Sequence, residues 1–337
     1  MEIDCNTQQD SYTITVERDA IWRAGQLADL DRKVLVVTDD GVPQAYADAI
    51  LSQCSEGYIY VIPQGEASKN TEAFTEILKE LLDKGFTRSD AVVAVGGGVV
   101  GDLAGFAAAC SMRGIDFINV PTTLLSQIDS SIGGKTGIDF GGIKNSVGAF
   151  HQPSQVIIDP CCLRTLPQRE LRAGLAEAIK MAATCSEPLF CKIESCGCLE
   201  EDFEEIITGA LLIKKWIVEQ DPLEKGLRRV LNFGHTVGHA IEATSEGKYL
   251  HGECVAMGMP CFASDGAAER IRAVLEWNGL PSRCPLKPAV LIPYILHDKK
   301  MAAGKVTVVY VDKIGSFEFR QAGVAELESY ILKNIEK

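Results

Sequence analysis

The chain has 337 residues, of which 46% are hydrophobic and 23% charged, a composition typical of globular proteins and a length that suggests two domains. Its formal net charge of −13 argues against nucleic acid or anionic membrane as a partner, and no window approaches the roughly 18 uninterrupted apolar residues of a membrane span. Any anionic substrate must therefore be held by a local cluster of lysine and arginine.

The N-terminus and the cysteines predict a cytoplasmic protein. The first residues, Met1-Glu2-Ile3-Asp4, lack the basic region and apolar run of a secretory signal. The twelve cysteines are scattered, and Cys196-x-Cys198 is too closely spaced for a usual zinc site. We expect reduced, mostly buried thiols.

Strands alternate with helices in the first half of the chain. The predicted strands are residues 34–40, 58–62, 91–95 and 116–121. Apolar residues at helical spacing predict a helix over 71–84. This alternation predicts a parallel sheet in an α/β nucleotide-binding domain, residues 1–170.

The second half is expected to be a mainly α-helical metal- and substrate-binding domain, residues 171–337. The predicted helices are residues 171–184, 200–220, 234–245 and 252–279. One late hairpin is expected, with strands at 306–311 and 317–320 and a turn at Ile314-Gly315. The cleft between two such domains is the default ligand site.

A glycine-rich segment follows the predicted strand at 91–95. The sequence Gly96-Gly97-Gly98-Val99-Val100-Gly101 fits Gly-x-Gly-x-x-Gly at the start of a helix, where backbone amides can approach a pyrophosphate. The acidic residue expected about 20 residues later, after the next strand, is missing. We therefore predict a dinucleotide loop on a variant α/β scaffold, since a tight turn alone would explain only one or two of the glycines.

Two further glycine-rich turns carry lysines. In the segment 130–137 a Walker P-loop would need glycine five residues before Gly134, and Asp129 stands there, which excludes an NTPase of that class. Lys135 follows the glycine pair, and Lys144 follows Gly142. Both turns suit anion binding.

Three of the five histidines fall within seventeen residues: His235, His239 and His251. His235 and His239 are spaced i,i+4, so they share one face of a helix. Neutral imidazole is the commonest zinc ligand, and a third ligand from elsewhere would leave one position open for substrate. Two histidines hydrogen-bonded in a core are the alternative.

Taken together these segments resemble 3-dehydroquinate synthases, which belong to the sugar-phosphate cyclases. The matching stretches are residues 95–106, 112–114, 120–125, 129–136, 174–180, 232–239 and 251–253. The resemblance implies a cytoplasmic shikimate-pathway enzyme that converts 3-deoxy-D-arabino-heptulosonate 7-phosphate to 3-dehydroquinate and phosphate. The implied steps are oxidation by NAD, phosphate elimination, reduction, ring opening and aldol closure.

The resemblance places a Zn²⁺ or Co²⁺ ion on Glu177, His235 and His251 and makes His239 a proton-transfer group. Spacing alone would instead pair His235 with His239 as ligands. Glu177 and Lys180 lie one helical turn apart, which suits a ligand with an adjacent cation.

The remaining implied contacts divide between cofactor and substrate. For NAD they are Asp39, Gly41, Glu66, Lys69, Gly97, Gly98, Val99, Asp102, Thr122, Thr123, Lys144, Cys162, Leu163, Arg164 and Thr165. For the substrate they are Arg113, Asp129, Lys135, Asn145, Lys180, Lys214, Arg228, Asn232 and Lys299, with Glu224 as a proton acceptor. Two departures are Gly41, where the family often has asparagine, and the turn at 140–143.

The resemblance also implies how the substrate is held. Lys135, Asn145 and Lys180 would bind its phosphate, with Arg113 contributed by the second subunit of a homodimer. Arg228 and Lys214 would bind its carboxylate, for which the planar fork of arginine is well shaped.

Three other functions compete with this one. A 2-deoxy-scyllo-inosose synthase would share the cofactors but act on a substrate without a carboxylate, which leaves Arg228, Lys214 and Asn232 unexplained. A metal-dependent polyol dehydrogenase would not need the phosphate-binding lysines. A metal-dependent nucleotide-binding regulator would not need this many acid–base groups.

Overall fold

A computed structural model describes residues 1–7, 10–197, 199–298 and 305–335, with the side chains of 199–200 and 297–298 excluded. The strands are β1 (Glu2–Asn6), β2 (Ser11–Val16), β3 (Lys33–Asp39), β4 (Glu56–Ile62), β5 (Ala91–Gly96), β6 (Asp116–Pro121), β7 (Lys135–Phe140), β8 (Ile143–Phe150), β9 (Gln155–Ile158), β10 (Val306–Tyr310) and β11 (Glu318–Ala322). The helices are α1 (Gln44–Leu51), α2 (Thr71–Asp83), α3 (Gly98–Cys110), α4 (Gln168–Cys185), α5 (Glu187–Glu194), α6 (Leu199–Gln220), α7 (His235–Thr244), α8 (His251–Gly258), α9 (Asp265–Trp277), α10 (Pro288–Asp298) and α11 (Val324–Leu332).

The chain separates into two compact units. The first comprises Met1–Pro167 and Lys214–Leu223, and the second Gln168–Ile213 and Glu224–Lys337. The division at residues 170 and 171 stays a prediction about domains. Lys299 lies outside the described residues.

The first unit is built on a seven-stranded sheet in the order β1-β2-β9-β6-β5-β3-β4. Every neighbouring pair is parallel except β1 with β2, so the predicted α/β class with a parallel sheet is confirmed. Alternate residues of β3 belong to two different hydrophobic clusters, Leu35 and Val37 to one and Val34 and Val36 to the other. Both faces of the sheet are therefore covered, which explains the continuous apolar runs of these strands.

The second unit is mainly helical, as predicted, with the two-stranded β10–β11 hairpin as its one described sheet. The single helix predicted over 252–279 is wrong. The helix α8 ends at Gly258, a 3-10 turn with Pro260 in its first two positions follows, and α9 begins at Asp265. The break has a physical cause, because Pro260 has no backbone N–H to continue the ladder and the Ser264 hydroxyl caps the next helix. Within the described residues, no helix has both the length and the apolar composition needed to cross a bilayer.

Candidate active site

The carboxyl ends of three adjacent strands carry most of the predicted nucleotide contacts. Asp39 ends β3, Gly97 follows β5, and Thr122 and Thr123 follow β6. Strands β3, β5 and β6 are neighbours in the sheet, and ligands of open α/β sheets bind outside the carboxyl ends of the strands. A Cβ added to Gly97 would lie 3.1 Å from Thr123 Cγ2, which shows how closely these two loops approach.

The glycine loop opens helix α3, as the sequence predicted. Gly97 is the N-cap and Gly98 the first helical residue. A Cβ at Gly98 would lie 3.1 Å from Ser130 Oγ. The backbone amides at this helix start are therefore next to a hydroxyl, in a setting suited to an anion.

Asp39 shapes the loop that follows its strand. Its Oδ1 accepts hydrogen bonds from the backbone N–H groups of Gly41, at 2.9 Å, and Val42, at 3.1 Å. Burial raises the pKa of the Asp39 carboxyl, although these two hydrogen bonds oppose the rise. A side chain at Gly41 would meet the carboxamide of Gln64, whose Cδ is 2.3 Å from the Cβ position, so Gln64 fills the space that an asparagine would use.

A buried lysine joins a predicted nucleotide contact to a predicted substrate contact. Lys69, 4% exposed, places Nζ 2.5 Å from both Asp102 Oδ2 and Asn145 Oδ1. Burial raises the pKa of Asp102, and the lysine charge only partly opposes this. Asp139, which sequence reasoning missed, accepts a 2.8 Å hydrogen bond from the Asn145 backbone N–H and thus orients that residue.

The other predicted contacts in the first unit occupy different positions. Glu66 Oε1 is 4.0 Å from Lys69 Nζ. The 3-10 turn Pro160–Thr165 carries Cys162, Leu163, Arg164 and Thr165 and is capped by Asp159. Burial raises the pKa of the Cys162 thiol, so this cysteine is not a reactive nucleophile. Lys214 Nζ donates to the carboxylate and backbone oxygen of Asp129, which lies in a π-helical turn, Ser126–Ser130, of a kind often found at functional sites.

In the second unit the histidines and Glu177 come together. The ring centroids of His235, His239 and His251 are separated by 5.1, 5.2 and 5.7 Å. Glu177 Oε1 on α4 lies 3.8 Å from His235 Nε2 and 3.6 Å from His251 Nε2. The pair His235 and His239 indicated by spacing and the set Glu177, His235 and His251 implied by the resemblance thus lie in one cluster.

Glycines allow the three helices of this cluster to approach closely. A Cβ at Gly252 of α8 would lie 1.9 Å from the backbone oxygen of Ala173 on α4. A Cβ at Gly258 would lie 2.0 Å from the backbone oxygen of Gly234, just before α7. No side chain fits at either position, so Gly252 and Gly258 set the helix spacing on which the cluster depends.

Glu177 is buried with an incomplete set of partners. It is 0% exposed, and neither carboxylate oxygen accepts a hydrogen bond within the described residues. Lys180, 1% exposed, forms a close ion pair with it. Burying a carboxylate costs free energy unless its lone pairs are satisfied. A cation bound by Glu177 Oε1 and the imidazoles would therefore complete the site.

The imidazoles are held by different partners. His235 Nδ1 is 3.1 Å from the Phe233 backbone oxygen, and His251 Nδ1 is 2.9 Å from Glu242 Oε2. Burial and the charge of Lys180 keep the pKa of His235 well below its usual value, which leaves it neutral, the form that binds metals. For His251 burial also disfavours the charge, but the hydrogen bond that its ring donates to Glu242 and the charge of Glu177 raise its pKa.

The predicted carboxylate-binding and proton-accepting residues lie on one short segment of the second unit. Arg228, 2% exposed, and Asn232 share the 3-10 turn Leu227–Asn232. Asn232 Nδ2 donates to Glu224 Oε1 at 2.9 Å. The structure therefore brings Asn232 to the proposed proton acceptor.

Backbone strain coincides with several predicted site residues. Six described non-glycine residues have positive φ, and three of them, Arg113, Asn145 and Glu224, are in the predicted set. Such conformations cost of order 1–3 kcal/mol each and cluster at functional sites.

Lys135 and Lys144 lie exposed on the β7–β8 hairpin.

Comparison with known proteins identifies related sequences. A family model for the N-terminal part of 3-dehydroquinate synthase matches residues 59–173, and one for the C-terminal part matches 174–301. The 3-dehydroquinate synthase of Streptococcus sanguinis (strain SK36) is 39% identical over 99% of this chain and 100% of its own length. That of Desulforamulus reducens is 43% identical over 86% of each chain.

Solved structures give the same architecture. ValA, a 2-epi-5-epi-valiolone synthase from Streptomyces hygroscopicus subsp. jinggangensis 5008 with NAD⁺ and Zn²⁺ bound, is 28% identical, with a TM-score of 0.88 over 97% of this chain and 98% of that one. A 2-deoxy-scyllo-inosose synthase has a TM-score of 0.88 over 99% of this chain and 100% of its own, at 23% identity, which shows the fold alone.

The glycine contacts generate a first prediction. We expect Gly252→Ala to lower the free energy of unfolding by about 1–3 kcal/mol, since overpacking against a backbone oxygen forces helix movement. Gly266→Ala is the matched control, because an added Cβ there meets nothing within 4 Å and should be neutral or stabilising by about 0.5–1 kcal/mol. Thermal unfolding of both variants measures this, and equal melting temperatures would show that α8 does not need the close approach.

Proposed function

Because the chain belongs to the 3-dehydroquinate synthase family, we propose that it converts 3-deoxy-D-arabino-heptulosonate 7-phosphate to 3-dehydroquinate and phosphate. The observation that carries this proposal is the cluster of Glu177, Lys180 and three histidines, embedded in the segments that carry the family resemblance. The reaction is a carbon–oxygen lyase reaction that depends on NAD and a divalent metal.

The metal would be held by Glu177, His235 and His251. The carboxylate without hydrogen bonds and the adjacent neutral imidazole fit a Zn²⁺ or Co²⁺ ion. When bound, the ion would supply Lewis-acid polarisation of a substrate oxygen. His239, which shares a helix face with His235, is then left to transfer protons.

NAD would be held by the first unit at the carboxyl ends of β3, β5 and β6. The start of α3 would bind its pyrophosphate. Nearby, Asp39 ends β3, and Lys69 donates to Asp102 of α3. When bound, the cofactor would supply a reversible hydride transfer, so it is regenerated in each turnover. The 28% identical valiolone synthase, which holds NAD⁺ and Zn²⁺, supports this cofactor pair.

The substrate groups are assigned by residue type. Lys135, Asn145 and Lys180 would bind the phosphate, with Arg113 contributed by a second subunit. Arg228 and Lys214 would bind the carboxylate, with Asn232 and Asp129 as further substrate contacts. Glu224, hydrogen-bonded to Asn232, would accept a proton.

A homodimer in the cytoplasm belongs to the same proposal. The β7–β8 hairpin exposes Phe140, Ile143, Val147 and Phe150, each more than a third exposed, an apolar surface suited to burial against a second copy. Arg113 is an exposed residue with φ of 69°, and in such a dimer it would serve the partner's site.

The cofactor role is tested by phosphate release from the heptulosonate phosphate. With NAD at a concentration well below that of the substrate, we expect many turnovers per NAD molecule and no net rise in NADH. Removing the metal with a chelator should stop phosphate release, and adding Zn²⁺ or Co²⁺ should restore it. NADH accumulating in step with product would instead indicate a dehydrogenase.

The metal ligands are tested by two histidine variants. We expect His251→Ala to lose most of the bound metal, because it removes one of three proposed ligands. His239→Ala should keep the metal and lose rate. Metal content after gel filtration distinguishes them, and equal content in both variants would contradict the assignment of Glu177 in place of His239.

Substrate choice is tested at Arg228. Charge-assisted hydrogen bonds contribute about 1.5–3 kcal/mol each, so Arg228→Ala should lower kcat/KM at least roughly tenfold. Arg228→Lys should recover only part, since the two-pronged geometry is lost.

Arg229→Ala is the matched control for that test, because Arg229 is the exposed neighbour. Melting temperatures are measured in parallel, since Arg228 is buried. If the wild-type enzyme is more active on glucose 6-phosphate than on the heptulosonate phosphate, the proposed substrate is wrong and the true substrate lacks the carboxylate.

A further inference from the structure

Glu242 is a residue that neither the motif match nor the histidine spacing identifies. It lies on α7, seven residues after His235 and three after His239, so all three share one face of the helix. Its Oε2 lies 2.9 Å from His251 Nδ1. This contact ties the first residue of α8 to the last turn of α7.

We propose that Glu242 is a positioning residue that orients His251 for the metal. A ring nitrogen that donates to a carboxylate fixes the tautomer, leaving the lone pair on the other nitrogen. Here Nδ1 faces Glu242, and Nε2 faces Glu177 Oε1 at 3.6 Å. The carboxylate therefore directs Nε2 toward the other proposed ligands.

The two histidine ligands differ in this support. His235 Nδ1 faces the neutral backbone oxygen of Phe233, whereas His251 Nδ1 faces an ionisable side chain. An anionic partner makes the imidazole a stronger donor to a cation than a neutral one does. His251 is also the more exposed of the two, with a side chain 34% exposed against 11% for His235, so it depends more on a specific partner to hold its ring.

Glu242 is itself partly buried, with a side chain 21% exposed. The close approach of α7 and α8 at Gly238, where an added Cβ would lie 3.0 Å from the Cys254 backbone oxygen, keeps the two elements in register. The hydrogen bond is therefore made between two segments whose spacing is fixed by packing. The role of Glu242 is indirect, because it acts through His251.

This inference rests on the proposed metal site and is tested by metal affinity. We compare wild type, Glu242→Ala and Glu242→Gln by competition for Zn²⁺ with a chromogenic chelator. Loss of such a partner typically weakens metal affinity by about 10–100-fold, which we expect for Glu242→Ala. Glu242→Gln should fall between, because its carboxamide oxygen still accepts from Nδ1 but carries no charge.

Glu269→Gln on α9 is the matched control, since Glu269 is exposed. It should bind Zn²⁺ as wild type does. The visible absorption of the Co²⁺-loaded proteins gives a second readout, and we expect the Glu242 variants to change its shape while the control does not. A general loss of folding would lower the melting temperature without altering the spectrum of the protein that remains folded.

The outcomes separate the two proposals. Wild type that binds no Zn²⁺ or Co²⁺ would overturn the metal site itself. Wild type that binds, with Glu242→Ala of equal Zn²⁺ affinity and unchanged Co²⁺ spectrum, would overturn the role of Glu242 and leave the metal site standing.

Discussion

The close packing of α4, α7 and α8 is the constraint on which the second unit depends. Backbone oxygens of Ala173 and Gly234 occupy the positions where side chains of Gly252 and Gly258 would lie. Only this spacing lets imidazoles from the first residues of two helices meet a carboxylate from the middle of a third. The glycines and histidines of this region therefore form one functional unit, in which the glycines set distance and the histidines supply chemistry.

Charge is concentrated locally in a protein that is acidic overall. Lys180 and Lys214 are buried beside carboxylates, Glu177 and Asp129 respectively, in separate units. Burying such pairs costs desolvation that their attraction repays only with good geometry. Their presence in a chain of net charge −13 is consistent with the proposed binding of an anionic substrate.

The central strands β3, β5 and β6 were predictable because they are buried on both faces. The predicted strand at 34–40 begins with four consecutive apolar residues, and the observed strand, Lys33–Asp39, differs by one residue at each end. The hairpin β7–β8 was read only as glycine-rich turns, since its exposed strand β8 has no alternating pattern to reveal it. The prediction of one long helix over 252–279 was wrong because it relied on the spacing of apolar residues and neglected Pro260, which lies in the turn between α8 and α9.

The site was predictable only as far as motifs extend. The i,i+4 spacing of His235 and His239 indicated a shared face, and the rings indeed lie 5.1 Å apart. Glu177 was identified as a ligand only through the family resemblance, because contacts between helices that are distant in sequence leave no local pattern. Asp139 was missed because its hairpin was not predicted, and Glu242 was missed because the packing of α8 on α7 sets its contact, although Glu242 continues the helical face of the histidines.

The position of Lys69 between Asp102 and Asn145 has a thermodynamic consequence. One ammonium group contacts both oxygens, so a ligand that draws it toward Asp102 would lengthen its contact with Asn145. Two binding events that share a cation in this way are linked, and linkage is reciprocal: each ligand changes the affinity of the other by the same factor. With Asp102 assigned to NAD and Asn145 to the substrate, as proposed above, cofactor and substrate binding would be linked through this one side chain.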